Sequence, residues 1–154
     1  MIATQSFAGK VGLLIVIILV VIQFIQPKKN KSEGLGENDI SKAYTMPHGL
    51  HETLMKKCYD CHSNNTKYPW YFHIQPIGWW LAAHVHDGKE ELNFSEFKNY
   101  PADRATHKLE ELLEVAEERS MPLDAYTVFH KDTDITDEDE KAIRDWLASL
   151  NIKR

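Results

Sequence analysis

Five residues, Cys58-Tyr59-Asp60-Cys61-His62, constrain this chain more than any other feature. Two thiols spaced by two residues, with a histidine directly after the second, match C-x-x-C-H, the attachment signature of c-type haem. The chemistry needs that order. Each thiol can add across one vinyl group of the porphyrin, and the next imidazole then lies under the ring and faces the iron. Other uses of the same residues make other demands. A thioredoxin-like redox pair calls for a preceding strand and a βαβ setting, whereas a helical pattern precedes Cys58. A zinc site calls for two further ligands, and the adjacent Cys61 and His62 do not readily face one metal. Two buried, inert thiols are the plainest alternative. Cys58 and Cys61 are the only cysteines in the 154 residues, so a disulfide framework is excluded.

Charge divides the chain. All 23 acidic and 17 of the 18 basic side chains lie beyond residue 26, an acidic surplus that excludes a nucleic-acid binder driven by a basic face. Before that point, residues 7–25 carry Lys10 as their one charge. Their length as a helix is about 28 Å, close to the roughly 30 Å of a bilayer's hydrocarbon core. They lack the polar stripe of a buried globular helix. The following Gln23-Phe24-Ile25-Gln26-Pro27 lacks the small-x-small pattern of a signal-peptidase site. The expected organisation is therefore a short tail at 1–6, a transmembrane anchor at 7–25, a flexible linker at 26–45 and a haem-binding domain at 46–154. The linker is polar, glycine-containing and aperiodic. Lys28, Lys29 and Lys31 outnumber Lys10, which by charge alone leaves the bulk of the chain in the cytoplasm. Attachment of haem c occurs on the outer face of the bacterial inner membrane, and that chemistry takes precedence. The expectation is a single-pass inner-membrane protein with its soluble domain in the periplasm.

Four segments of the domain repeat at helical spacing. Leu50, Leu54 and Cys58 place the first thiol at a helix end. Trp79, Ala82, Ala83 and His86 share one face. Leu109, Leu112, Leu113 and Ala116 form a third stripe, and Ile143, Trp146, Leu147 and Leu150 a fourth. Thr136 is a good N-cap for the last helix, with Asp137, Glu138 and Asp139 in the first turn where the helix dipole favours acids. Strand patterns are scarce, so the predicted fold is all-α. A 109-residue domain has a modest core, and a covalently held macrocycle supplies much of its apolar centre.

The motif with its flank, Cys58-Tyr-Asp-Cys-His-Ser-Asn64, is joined by Tyr68-Pro-Trp-Tyr71, Leu92-Asn-Phe-Ser-Glu96, Met121-Pro122, Tyr126, His130 and the Trp146-Leu147 helix. Together these resemble the small membrane-anchored monohaem haem-binding-domain proteins of bacteria, related in plan to class I cytochromes c. Leu123 stands where those proteins usually carry a second proline. The resemblance implies a small class I cytochrome c-like domain around one covalent haem c. Cys58 and Cys61 hold the porphyrin, His62 is the proximal axial ligand and Met121 the distal one, on a segment where Pro122 ends the preceding helix. His84 or His86 are alternatives for that position, His130 another, and an open, five-coordinate iron a further one. His/Met ligation fills both axial positions and implies an electron carrier, not an enzyme. An open position implies a ligand sensor or peroxidase-like enzyme, and a fixed subunit of a larger membrane complex is a third reading. The partners implied are the membrane, through the N-terminal helix, and redox proteins; no nucleic acid is implied. The acidic runs Glu110–Glu118 and Asp132–Glu140 read first as solvated helix faces, and second as steering surfaces for a basic redox partner.

Two smaller features complete the reading. The aromatic-rich loop between Pro69 and Pro76 is expected to offer the carbonyl that accepts the proton on His62 Nδ1 and fixes the ring. Asn64 and Asn93 each open an N-x-S/T triplet, taken as incidental.

Overall fold

The computed structural model describes residues 7–152, so the expected tail at 1–6 lies outside the described residues. All regular structure among them is helical, in agreement with the all-α expectation. The chain divides into two compact units, one holding the described residues up to 29 with 68–84, the other holding 30–67 and 85–152.

The first unit begins with α1 (Phe7–Ile22). Its apolar side chains are largely exposed. The expected span reached Ile25, but the helix stops three residues earlier. The amides of Gln23, Phe24 and Ile25 each bond a carbonyl three residues back, at 3.2, 3.1 and 3.1 Å, which tightens the chain into a turn. Gln23 then locks it: its side chain donates to Gln75 O (3.0 Å) and accepts from the Gln75 amide (2.9 Å). Trp79 Nε1 adds a bond to Ile25 O at 2.8 Å. Sixteen residues make about 24 Å of helix, short of the roughly 30 Å needed. No helix among the described residues is long and apolar enough to cross a membrane. The transmembrane anchor at 7–25 is thereby corrected, and the single-pass inner-membrane placement that rested on it falls with it.

The second unit holds α2 (Ile40–Ala43), α3 (His48–Lys57), α4 (Tyr59–His62), α6 (Ala102–Glu117), α7 (Asp124–Thr127) and α8 (Asp137–Ser149). The unit boundary falls within α5 (Ile77–Glu91). Packing follows the apolar stripes. Leu109, Leu112, Leu113 and Ala116 of α6 meet Ile143, Trp146 and Leu147 of α8, with Leu50 and Leu54 of α3 in the same core. The stretch expected to act as a linker contributes to this core. Asp39 caps α2 by accepting the Ser41 amide at 2.9 Å, and Ile40 is completely buried. Tyr44 then stands edge-on to both Phe97 and Trp146.

Thr136 caps α8 in a reciprocal capping box with Asp139, and Asp139 also pairs with Lys57 and accepts from Thr53 at 3.1 Å. Thr136→Ala should therefore destabilise the domain by about 1 kcal/mol, read as a lower denaturant midpoint at unchanged m-value. A loss below about 0.3 kcal/mol would show that Lys57 and Thr53 hold Asp139 and the helix start unaided.

Candidate functional site

Cys58 ends one helix and begins the next. Its amide bonds Leu54 O at 2.9 Å, closing α3, while its own carbonyl accepts the amides of Cys61 (3.2 Å) and His62 (3.0 Å). Both thiols and the imidazole are thus borne on one helical turn. That turn is approached closely by α5: a Cβ at Gly88 would lie 3.0 Å from Cys61 O, so glycine is what permits the contact.

The electrostatics of the two sulfurs bear on the thiolate-exchange reading of the motif. Burial pushes the Cys58 thiol up to about 12 and the Cys61 thiol up to about 11. A redox pair works through thiolate, which helix N-termini or nearby cations favour; burial here favours S–H instead. Both cysteines are free, and no group of three or more metal-ligating side chains occurs among the described residues.

His62 is mostly buried, and its Nδ1 lies 3.0 Å from Leu92 O. A carbonyl only accepts, so Nδ1 carries the proton and Nε2 keeps its lone pair. Burial lowers the imidazole pKa below its ordinary value, and the Leu92 and Gly88 carbonyls offset that only in part. The ring is therefore neutral at pH 7, and Phe94 stands edge-on to it at 6.3 Å. The acceptor expected between Pro69 and Pro76 is instead Leu92, directly after α5; residues 68–84 belong to the other unit.

The remaining candidates are placed as follows. Met121 follows α6 and is 38% exposed. Pro122 does not end that helix: Arg119 in the left-handed region (φ 54°) does, with Ser120 N bonded to Val115 O at 3.1 Å. The segment beyond Met121 is tied to the motif by Tyr126, whose hydroxyl donates to Asp60 Oδ2 at 2.9 Å. His130 stacks on Tyr126 at 3.9 Å and donates from Nδ1 to its carbonyl. His86, 71% exposed, turns Nε2 to Glu90 at 3.3 Å. His84 bonds Trp80 O at 2.9 Å in the first unit. Asn30, within the expected linker, donates to Ser63 O (2.7 Å) and Thr66 Oγ1 (2.9 Å) beside the motif.

With this donor set in place, the comparison with known families decides what it serves. The chain matches the haem-binding-domain family over residues 17–149. It belongs to that family. No curated protein and no solved structure matches the chain. The residues of this haem-binding domain fit their cofactor: two protonated thiols and one neutral imidazole with a free Nε2 share a turn. Leu123, Val128 and Phe129, together with Met121, leave apolar surface exposed on the segment that Tyr126 ties to it. Leu92 and Gly88 were missed as site residues because they act through a backbone oxygen and an absent side chain. The Leu92-Asn-Phe-Ser-Glu96 run was the available signal.

A histidine whose folded pKa is lowered leaves the unfolded chain binding more protons below pH about 6.5, so His62 lowers haem-free stability as pH falls through that value and on to its folded pKa. Comparing denaturant unfolding of wild type and His62→Gln at pH 7.5 and 5.5 should show wild type losing more on acidification. Equal losses would place the His62 ring in water in the folded chain.

Proposed function

We propose that this haem-binding domain carries single electrons on one haem c. The observation that carries the reading is His62, neutral and anchored at Nδ1 by Leu92, on the same turn as two S–H groups. Cys58 and Cys61 would hold the porphyrin through thioether bonds, each thiol adding its sulfur and proton across a vinyl group. His62 Nε2 would take one axial position. Met121 Sδ, partly exposed after α6, would be the second ligand to the iron. Bound haem iron supplies a one-electron couple between its ferric and ferrous states, at a potential that a thioether ligand raises.

What the chain itself does is hold and shield. Leu92 fixes the imidazole plane and increases its basicity through the shared proton. Tyr126 and Asp60 restrain the segment that bears Met121. With both axial positions filled the domain is a carrier and not an enzyme, exchanging electrons with separate redox proteins. The exposure of Met121 favours one second reading, an open axial position suited to ligand sensing.

Expression beside a cytochrome c maturation system tests both levels. Wild type should yield haem that acidic acetone does not extract, and Cys58→Ser/Cys61→Ser should yield none; extractable pigment in wild type would sink the covalent reading. Met121→Ala should keep the haem, convert ferric iron to high spin and lower the midpoint potential by at least about 60 mV, a tenfold change in relative ferric and ferrous affinity. An unchanged spectrum and potential, with cyanide bound equally fast before and after substitution, would assign the open site instead.

A further inference from the structure

Asn64 and Asn93 meet across the site. Asn93 Nδ2 donates to Asn64 Oδ1 at 3.0 Å, joining the second residue after His62 to the first after Leu92. The direction of this bond is fixed from both ends. The Ser95 amide can only donate, and it occupies Asn93 Oδ1 at 3.1 Å, so the Asn93 nitrogen must face Asn64. Asn64 has then spent its oxygen, and its nitrogen donates to Glu96 Oε1 at 2.8 Å, a carboxylate that can only accept. Two further bonds brace the pair: Asn64 N to Ser95 Oγ (3.0 Å) and Asn93 N to Tyr100 OH (2.9 Å). Asn93 and Ser95 are buried, which leaves no bulk water to replace a lost partner.

We propose that the Asn64–Asn93 clasp is the positioning element for His62: it fixes the Leu92 carbonyl against Nδ1 and so holds the imidazole in the Nδ1–H tautomer, with Nε2 free to ligate. Its bearing on ligation rests on the haem c reading, whereas the tautomer is a property of the chain alone. The donor of the His62–Leu92 bond lies on α4 and the acceptor just beyond α5, and the clasp joins these segments two residues after the donor and one after the acceptor. Without it, Leu92 is anchored next to the site by its own amide, bonded to Gly88 O at 2.9 Å. That bond and the Asn93 amide's bond to Tyr100 OH hold the Leu92–Asn93 peptide within its own segment, and the clasp ties that segment to the one that follows His62. Once the tie is broken the Leu92 oxygen can draw away from Nδ1, and a neutral imidazole that loses this acceptor populates both tautomers.

The fixed direction gives a test that generic packing would not mimic. Asn93→Asp places acceptors on both sides of Asn64, whose amide can satisfy one of them in either orientation. Asn93→Asp/Glu96→Gln reverses the whole run: Asn64 then donates to the introduced carboxylate and accepts from the introduced amide. Ser95 keeps its acceptor, and Asn99, which donates to Glu96 Oε2 at 2.9 Å, keeps an oxygen.

Nitrogen-15 NMR of the haem-free full chain at about pH 8, where the imidazole is neutral, should show Nδ1–H alone for wild-type His62. It should show a mixture for Asn93→Asp and Nδ1–H alone again for the double variant. In the haem-loaded protein Asn93→Asp should shift the midpoint potential upward, because an imidazole lacking its acceptor donates less to ferric iron, and the double variant should reverse the shift. A wild-type tautomer in Asn93→Asp, or a double variant no closer to wild type than the single one, overturns the proposal. If Asn93→Asp does not fold, a double variant that folds with Nδ1–H supports the clasp and one that stays unfolded overturns it. A wild-type chain that takes up no thioether-bound haem overturns the haem c reading instead, and the haem-free spectra still decide the clasp.

Discussion

One hydrogen bond, from His62 Nδ1 to Leu92 O, organises the site. A part-buried neutral imidazole has one proton to place, and a carbonyl leaves no choice of which nitrogen carries it. The bond needs its acceptor at a defined point, and that point is set by the end of α5, where the Leu92 amide bonds back to Gly88 O. The same Gly88 lets α5 approach the Cys61 backbone without a clash. A larger residue there would push apart the two segments that this bond joins. Helix ending, close packing and tautomer are therefore one arrangement.

What the sequence could reveal depended on whether the signal lay in side-chain period or in backbone position. The stripes of α6 and α8 were legible because burial imposes the 3.6-residue repeat directly, and Thr136 was legible because an N-cap needs an oxygen at that place. Leu92 was not, since any residue supplies a carbonyl. The proline-bounded loop is near His62 in sequence, but it belongs to the other unit. Asp39 and Ile40 were hidden for a different reason: an isolated buried pair in a polar stretch has no periodicity to show. Ile40 is nonetheless fully buried, and Asp39 accepts bonds from Ser41 and from Tyr59 OH.

The apolar N-terminal run shows where hydropathy misleads. Hydropathy counts side chains, whereas spanning is a matter of helical length. Gln23 has the means to end the helix, since its amide can bond a backbone outside it, and Gln75 provides both a carbonyl and an N–H for that purpose. Gln26 repeats the pattern, donating to His73 O at 3.2 Å and accepting from Gln75 Nε2 at 3.1 Å. Two glutamines near the end of an apolar stretch are weak marks in a hydropathy window. In the fold they mark the point where the chain leaves the helix.

The state of the thiols bears most directly on what the motif is for. A C-x-x-C pair used for disulfide exchange gains from a lowered pKa, because thiolate is the attacking species. Burial drives Cys58 and Cys61 the opposite way, which suits sulfurs that end as thioethers with no charge to solvate. The exposed apolar side chains at Met121, Leu123, Val128 and Phe129 complement this. Each 100 Å² of such surface covered by a macrocycle would contribute about 2.5 kcal/mol, on a segment already tied to the motif through Tyr126 and Asp60. A domain with a modest core of its own has reason to leave that surface for a cofactor, and the proposed covalent attachment would keep the two together once joined.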